Sequence, residues 1–196
     1  MSTNTLNYYD NNANVFYNNT VNANFKVTQN FFLSKLNKNA SILDFGCGSG
    51  RDAKYFIDCG YDVEAIDGSS ELCKLASNYI GVEVKNMLFN ELDEVNKYNG
   101  IWACAAILHL TLDEIEDVIR KMIIATKNNG IIYISFKYGD FVGDRNGRFY
   151  TDMNEENFLE IFSHLENVKM EEQWITTDVL PNRENEKWFN VMLRKF

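Results

Sequence analysis

The sequence predicts an α/β fold of three layers, built on a mostly parallel seven-stranded sheet with an antiparallel C-terminal hairpin and an N-terminal helical cap. Three observations predict it. From residue 42 to residue 164, apolar runs of strand length alternate with segments of helical periodicity, the pattern of parallel strands joined by right-handed crossover helices. The first run, Ile42-Leu43-Asp44-Phe45, breaks into Gly46-Cys47-Gly48-Ser49-Gly50 before helix-compatible residues resume. Such a turn lets a ligand approach bare backbone and meet the free N–H groups of the next helix. The last two strand-like segments, 168–177 and 188–195, follow one another with no helix between them, so they must pair antiparallel.

Each element has its own local reason. Tyr9, Ala13, Phe16 and Tyr17 share one helical face over residues 7–19, and Phe25, Phe32, Leu33 and Leu36 share another. Past the glycine turn, residues 52–58 read as a helix stopped by Gly60. Strand two is 62–67, and Ser69 or Ser70 caps the helix that runs to about Tyr79. Strand three is 82–86 and strand four is 100–106. Thr111-Leu112-Asp113-Glu114 forms a capping box for a helix whose buried stripe is Leu112, Ile115, Val118, Ile119, Met122 and Ile123, ended by Asn128-Asn129-Gly130. Strand five is 131–136. A loop rich in Gly, Asp and Arg follows, then a helix over 155–164 with Asp152 as its cap.

Composition bounds the function. A chain of 196 residues that is 45% hydrophobic can form a single core, so residues 1–196 read as one domain, with 1–38 the cap region and 39–196 the ligand-binding core. The net charge of −9 and the lack of a basic stripe argue against a nucleic-acid partner. No apolar run approaches 18 residues, which argues against a membrane span. Cys47, Cys59, Cys73 and Cys104 have neither metal-ligand nor disulfide spacing, so no metal is expected and the thiols fit a reducing compartment. The polar, Asn-rich N-terminus lacks the features of a secretory signal, so a cytoplasmic location is expected.

The dinucleotide fingerprint needs Gly-x-Gly-x-x-Gly, and Arg51 stands where its third glycine belongs. Neither Gly-Lys-Ser nor Gly-Lys-Thr follows, so no phosphate-binding P-loop is predicted. Asp44-x-Gly46-x-Gly48-x-Gly50 instead resembles motif I of the class I S-adenosylmethionine (SAM)-dependent methyltransferases. Val63-Glu64-Ala65-Ile66-Asp67 resembles the family's ribose-binding strand, and Tyr98 to His109 resembles the fourth-strand motif of its small-molecule members, including the tellurite-resistance-like branch. The likeness runs from about Leu6 to the C-terminus.

The resemblance implies a Rossmann-like fold with SAM as methyl donor and S-adenosylhomocysteine as product. It also implies a cofactor site. Asp44 and Phe45 lead into the turn, with Asp44 steadying it, while Gly46, Cys47, Gly48 and Gly50 admit the amino-acid end of SAM. Arg51 either meets the methionyl carboxylate or is a solvated surface arginine. Asp67 accepts the ribose hydroxyls, with Gly68 and Ser69 beside it. Met87 and Leu88 contact adenine through backbone groups and apolar packing, and Ala103 and Cys104 form the floor.

The chain has no Asp/Asn-Pro-Pro-Tyr/Phe motif, and Cys104 is flanked by alanines rather than preceded by proline. Both absences turn the acceptor toward a small molecule. Three regions could build its pocket: the N-terminal aromatics Tyr8, Tyr9, Phe16 and Tyr17; His109 after strand four; and Arg145, Arg148, Phe149 and Tyr150 after strand five. His109 is the candidate acid-base residue by position and titration range, or else it only orders its turn. The two arginines select an anionic acceptor or offset Asp140, Asp144 and Asp152. Other readings stay open, namely a non-catalytic SAM-binding or scaffold protein and an NAD-binding oxidoreductase.

Overall fold

The computed structural model describes residues 2–196. Seven strands form one sheet in the order β3-β2-β1-β4-β5-β9-β8. The strands are β1 (Ser41–Phe45), β2 (Asp62–Asp67), β3 (Val84–Asn86), β4 (Tyr98–Ala103), β5 (Thr126–Lys137), β8 (Val168–Thr177) and β9 (Lys187–Lys195). β1 to β5 run parallel, whereas β9 inserts antiparallel between β5 and β8. The sheet is the mixed, mostly parallel one that the element order predicts.

Strict alternation along the central strands divides the interior into two cores. Leu43, Ile101, Ala103, Ile132, Ile134, Val191 and Leu193 face the helices α6 (Leu112–Ala125) and α7 (Glu155–Ser163). Their neighbours Ile42, Trp102, Tyr133 and Met192 face α3 (Lys26–Leu33) and α4 (Arg51–Asp58). A third cluster seats α4 and α5 (Ser70–Ile80) over β2 and β3 through Ala53, Ala65, Ala76 and Ile80. A sheet apolar on both faces needs helices on both, and three layers result. Among the described residues no helix is long and apolar enough to cross a membrane.

Several elements depart from the sequence reading. The single helix expected over 7–19 is two, α1 (Thr3–Asn11) and α2 (Ala13–Thr20), broken at Asn12. The Asn12 side chain donates to the Tyr8 carbonyl at 2.8 Å, competing with regular helical backbone. β4 ends at Ala103 rather than 106, because the chain turns at Ala105 with φ 51°, where its N–H donates to Ser135 Oγ at 2.9 Å. α6 stops at Ala125 rather than at the Asn-Asn-Gly signal. The buried Thr126 hydroxyl donates to the Met122 carbonyl at 2.7 Å and closes the helix there, so β5 starts five residues early.

The loop expected after β5 contains a hairpin, β6 (Val142–Arg145) and β7 (Arg148–Thr151). Its two-residue turn is Asn146-Gly147, both at positive φ (53° and 79°), as a type I′ turn requires. α7 is capped by Asn154, whose side chain accepts the Asn157 N–H at 2.9 Å. Asp152 instead pairs with Arg145.

Candidate active site

The glycine turn opens where β1 ends. The N–H groups of Gly46 and Cys47 both donate to the Ile66 carbonyl, at 3.0 and 2.9 Å, which folds the chain back over the tip of β2. Gly46, Gly48 and Gly50 have φ of 86°, 55° and 79°. A Cβ at Gly46 would lie 2.7 Å from that of Ala106, and one at Gly48 would lie 3.0 Å from the Phe16 ring on α2. Both backbone conformation and space therefore demand glycine here.

Asp67, at the end of β2, is the keystone of this turn. One carboxylate oxygen accepts the Gly48 N–H at 2.9 Å and the other accepts the Ser69 N–H at 2.8 Å. The Gly68 N–H adds a third amide hydrogen bond to the carboxylate. Burial raises the Asp67 pKa, with the amide hydrogen bonds opposing it. Ser69 caps α5 through Leu72 N–H and donates to Asp10 on α1 at 2.6 Å. Asp44 is buried, and one of its carboxylate oxygens has no partner. Burial, then the charge of Asp52, pushes its pKa well above the carboxylate range.

Arg51 is not a solvated surface residue. Its guanidinium makes a two-point ion pair with Asp52, both contacts 2.8 Å, beneath the Phe25 ring. Asp52 is completed by Gln29 Nε2 at 2.6 Å and Trp102 Nε1 at 2.9 Å. The buried charge is thus fully hydrogen-bonded, and Asp52 keeps a lowered pKa because Arg51 and these donors outweigh its desolvation.

The remaining cofactor candidates divide. Cys104 lines the cavity, but burial pushes its thiol up to about 12, so it stays protonated and is no nucleophile. Ala103 is fully enclosed in the sheet core behind it. Phe45 is likewise buried, its ring tilted against that of Phe89 with centroids 4.8 Å apart. Gly68 gives its carbonyl to Asn86 Nδ2 at 2.9 Å. The Met87 N–H donates to the Asp67 carbonyl and the Leu88 N–H to Glu91, so both backbone amides are already used locally.

The acceptor candidates converge from two sides. His109 follows β4 and is 4% exposed. Its Nδ1 lies 2.7 Å from the Phe149 carbonyl, which can only accept, so Nδ1 carries the proton and Nε2 accepts from the Tyr9 hydroxyl at 2.8 Å. Burial lowers the His109 pKa to about 4, and burial also raises that of Tyr9. Both groups are neutral near pH 7. Arg148 reaches the Tyr9 hydroxyl at 3.4 Å and stands over the Tyr8 and Tyr150 rings at 4.4 and 5.2 Å. Arg145 pairs with Asp152. Tyr17 lies elsewhere, packed edge-on against Tyr79.

One continuous cavity of about 710 Å³ joins these groups, with Gly46–Ser49, Arg51, Asp52 and Asp67 at one end and His109, Arg145, Arg148 and Tyr150 at the other, whereas Gly50 faces Ile80 and Ala76 of α5 and does not line it. Ser135 lines it although the sequence reading did not single it out, and Tyr9 enters as a hydrogen-bonding group rather than only as cover. No periodicity marks either role. The Asn146-Gly147 turn was the legible signal for the hairpin that carries the arginines.

Residues 42–130 match the profile of a methyltransferase domain. An uncharacterized methyltransferase of Staphylococcus carnosus is 25% identical over 168 residues, 78% of this chain and 81% of the relative. The protein is a SAM-dependent methyltransferase. Among solved structures, the methyltransferase is similar in fold to the 1,6-didemethyltoxoflavin-N1-methyltransferase of Burkholderia thailandensis, bound to 1,6-didemethyltoxoflavin and S-adenosylhomocysteine. That likeness has a TM-score of 0.76 at 19% identity, covering 97% of this chain and 84% of the other.

A Rhodobacter sphaeroides chain assigned to the zinc-dependent alcohol dehydrogenases is as similar in shape, with a TM-score of 0.78 at 11% identity over the full length of both chains. Fold alone therefore does not select the chemistry. In the methyltransferase, the third position of a dinucleotide fingerprint holds Arg51, tied into the Asp52 network. Among the described residues no group of three or more His, Cys, Asp or Glu side chains could hold a metal ion.

Proposed function

We propose that the methyltransferase acts on a small molecule bound in the same cavity as the donor, within reach of the Tyr9–His109 pair. The single observation that carries this reading is the continuity of the cavity from the glycine turn to the β6–β7 hairpin. Its volume of about 710 Å³ falls within the range of small-ligand pockets. The molecule bound with S-adenosylhomocysteine in the Burkholderia enzyme, 1,6-didemethyltoxoflavin, is small too. The motif at Tyr98 to His109 supports placing the chain with the tellurite-resistance-like branch, and residues 1–196 would work as one domain.

The residues fit SAM on their own geometry. Gly48 presents backbone without a Cβ, the Asp67 carboxylate, lining the cavity, can accept from the ribose, and the unpartnered oxygen of buried Asp44 can accept a donor from the amino-acid end. When bound, SAM supplies a methyl group on a sulfonium sulfur. The chain's own contribution is orientation and exclusion of water. Phe16 and Tyr9 cover the turn from above, with ring centroids 5.3 Å apart. His109, neutral and with Nε2 already accepting from Tyr9, can take a proton from an acceptor only through the Tyr9 hydroxyl, which would pass its own proton on to Nε2.

Calorimetry with S-adenosylhomocysteine and, separately, with NAD tests the reading. Binding of the first and not the second is expected, and Asp67→Ala should weaken it by about 1–3 kcal/mol through lost hydrogen bonds. NAD binding without S-adenosylhomocysteine binding would overturn the cofactor reading. An affinity unchanged in Asp67→Ala would remove Asp67 from the ribose site.

A further inference from the structure

The two arginines that flank the β6–β7 turn stand in opposite electrostatic situations. Arg145 has its carboxylate, holding Asp152 at 2.7 and 3.2 Å. Arg148 has none among the described residues. Its hydrogen bond is to the neutral Tyr9 hydroxyl, and its Nε N–H is buried without an acceptor. Three tyrosine rings enclose the guanidinium, those of Tyr8, Tyr150 and Tyr9, at 4.4, 5.2 and 5.6 Å.

The contrast extends along the cavity wall. Arg51 is paired with Asp52, Lys137 with Glu186, and Arg183 lies 3.9 Å from Asp178. Arg148 is the half-buried cation of that wall without a carboxylate, in a chain whose acidic residues outnumber its basic ones by 28 to 19. Carboxylates are plentiful in this protein, so their absence here is a property of the position.

A half-buried guanidinium gains some stabilisation from ring faces, but its planar fork of donors matches an oxyanion far better. The groups around it preserve this. The Tyr9 hydroxyl donates to His109 and turns a lone pair to Arg148, and neutral His109 adds no second positive charge. Aromatic walls formed by Tyr8, Tyr9 and Tyr150 suit a planar organic body.

We propose that the methyl acceptor is a small organic oxyanion, carboxylate in geometry and aromatic or planar in body, whose charged group is held by Arg148. This rests on the methyltransferase reading above and names its acceptor class. Arg145, tied to Asp152, shapes the wall; Arg148 recognises the ligand.

The test uses benzoate and its neutral isostere benzamide as probes, titrated by calorimetry into the full chain saturated with S-adenosylhomocysteine. Wild type is expected to bind benzoate about tenfold or more tightly than benzamide. In Arg148→Gln the preference should fall to about threefold or less while S-adenosylhomocysteine affinity stays within about twofold. Arg148→Lys, which keeps the charge without the fork, should retain an intermediate preference and guards against misfolding of the glutamine variant. Arg120→Gln, on α6 and outside the cavity, should leave the preference unchanged.

Equal affinity for the two probes would overturn the proposal, as would no benzoate binding up to about 50 mM or a preference that survives in Arg148→Gln. If S-adenosylhomocysteine itself does not bind, the cofactor reading fails. The same benzoate titration on the protein alone then still decides the role of Arg148.

Discussion

At the scale of single residues, Phe149 joins two halves of the site through its backbone alone. Its carbonyl accepts from His109 and its N–H donates to Thr5 on α1 at 3.1 Å. The His109 ring is thereby held in one tautomer, and its burial, against the opposing Phe149 hydrogen bond, lowers its pKa from 6.5 to about 4. The unfolded chain then binds a proton that the folded chain refuses. The resulting stability is fully present above pH 6.5 and is lost as pH falls toward 4, by up to about 3 kcal/mol. His109→Gln should therefore flatten the pH dependence of the urea midpoint between pH 4 and 6.5. Equal slopes in the two proteins would show that His109 titrates normally.

At the scale of elements, the first helix, α1, is attached by a few polar contacts rather than by a deep apolar face, unlike α3, whose Phe32 and Leu33 enter the core. Thr5 is fully buried and its hydroxyl accepts the Phe149 N–H, Asp10 receives the Ser69 hydroxyl, and Tyr9 meets His109. Thr5→Val keeps the shape and leaves a buried N–H unpaired, so it should lower stability by about 1–3 kcal/mol in urea titration. A midpoint equal to wild type would mean that α1 docks without this bond. The helices α4 to α7 were legible because their signals are local: Ser69 and Thr111 are caps by side-chain chemistry, and Gly60 and Gly81 stop helices by conformation. The ends of α6 and β4 were not. Thr126 closes α6 because its backbone also pairs with Tyr98, and β4 stops where Ser135 of a neighbouring strand captures the Ala105 N–H.

At the scale of the whole molecule, stability concentrates in the sheet, where Trp102 and Tyr133 stack with centroids 4.0 Å apart on the face covered by α3 and α4. The slowest amide exchange is expected in β1, β4 and β5, with α1 and α2 opening at lower free energy because their contacts are fewer and more polar. Addition of S-adenosylhomocysteine should slow exchange in α1 and α2 more than in β5, since Phe16 and Tyr9 roof the glycine turn. Uniform protection across cap and sheet, unaffected by the ligand, would contradict that account.

The sequence by itself determined the fold class and the position of the glycine turn, because strand alternation, helix caps and positive φ at glycine are properties of neighbouring residues. Through its resemblance to a family it also pointed to the donor. Which groups meet at the hairpin end of the cavity was decided by the tertiary structure alone. Tyr9 and His109 are 100 positions apart in the chain, and Arg145 and Arg148 are near neighbours with opposite partnerships. Side-chain pairing across a cavity depends on how distant elements pack, and no local periodicity encodes it. That packing left one guanidinium without a carboxylate in the wall of the cavity.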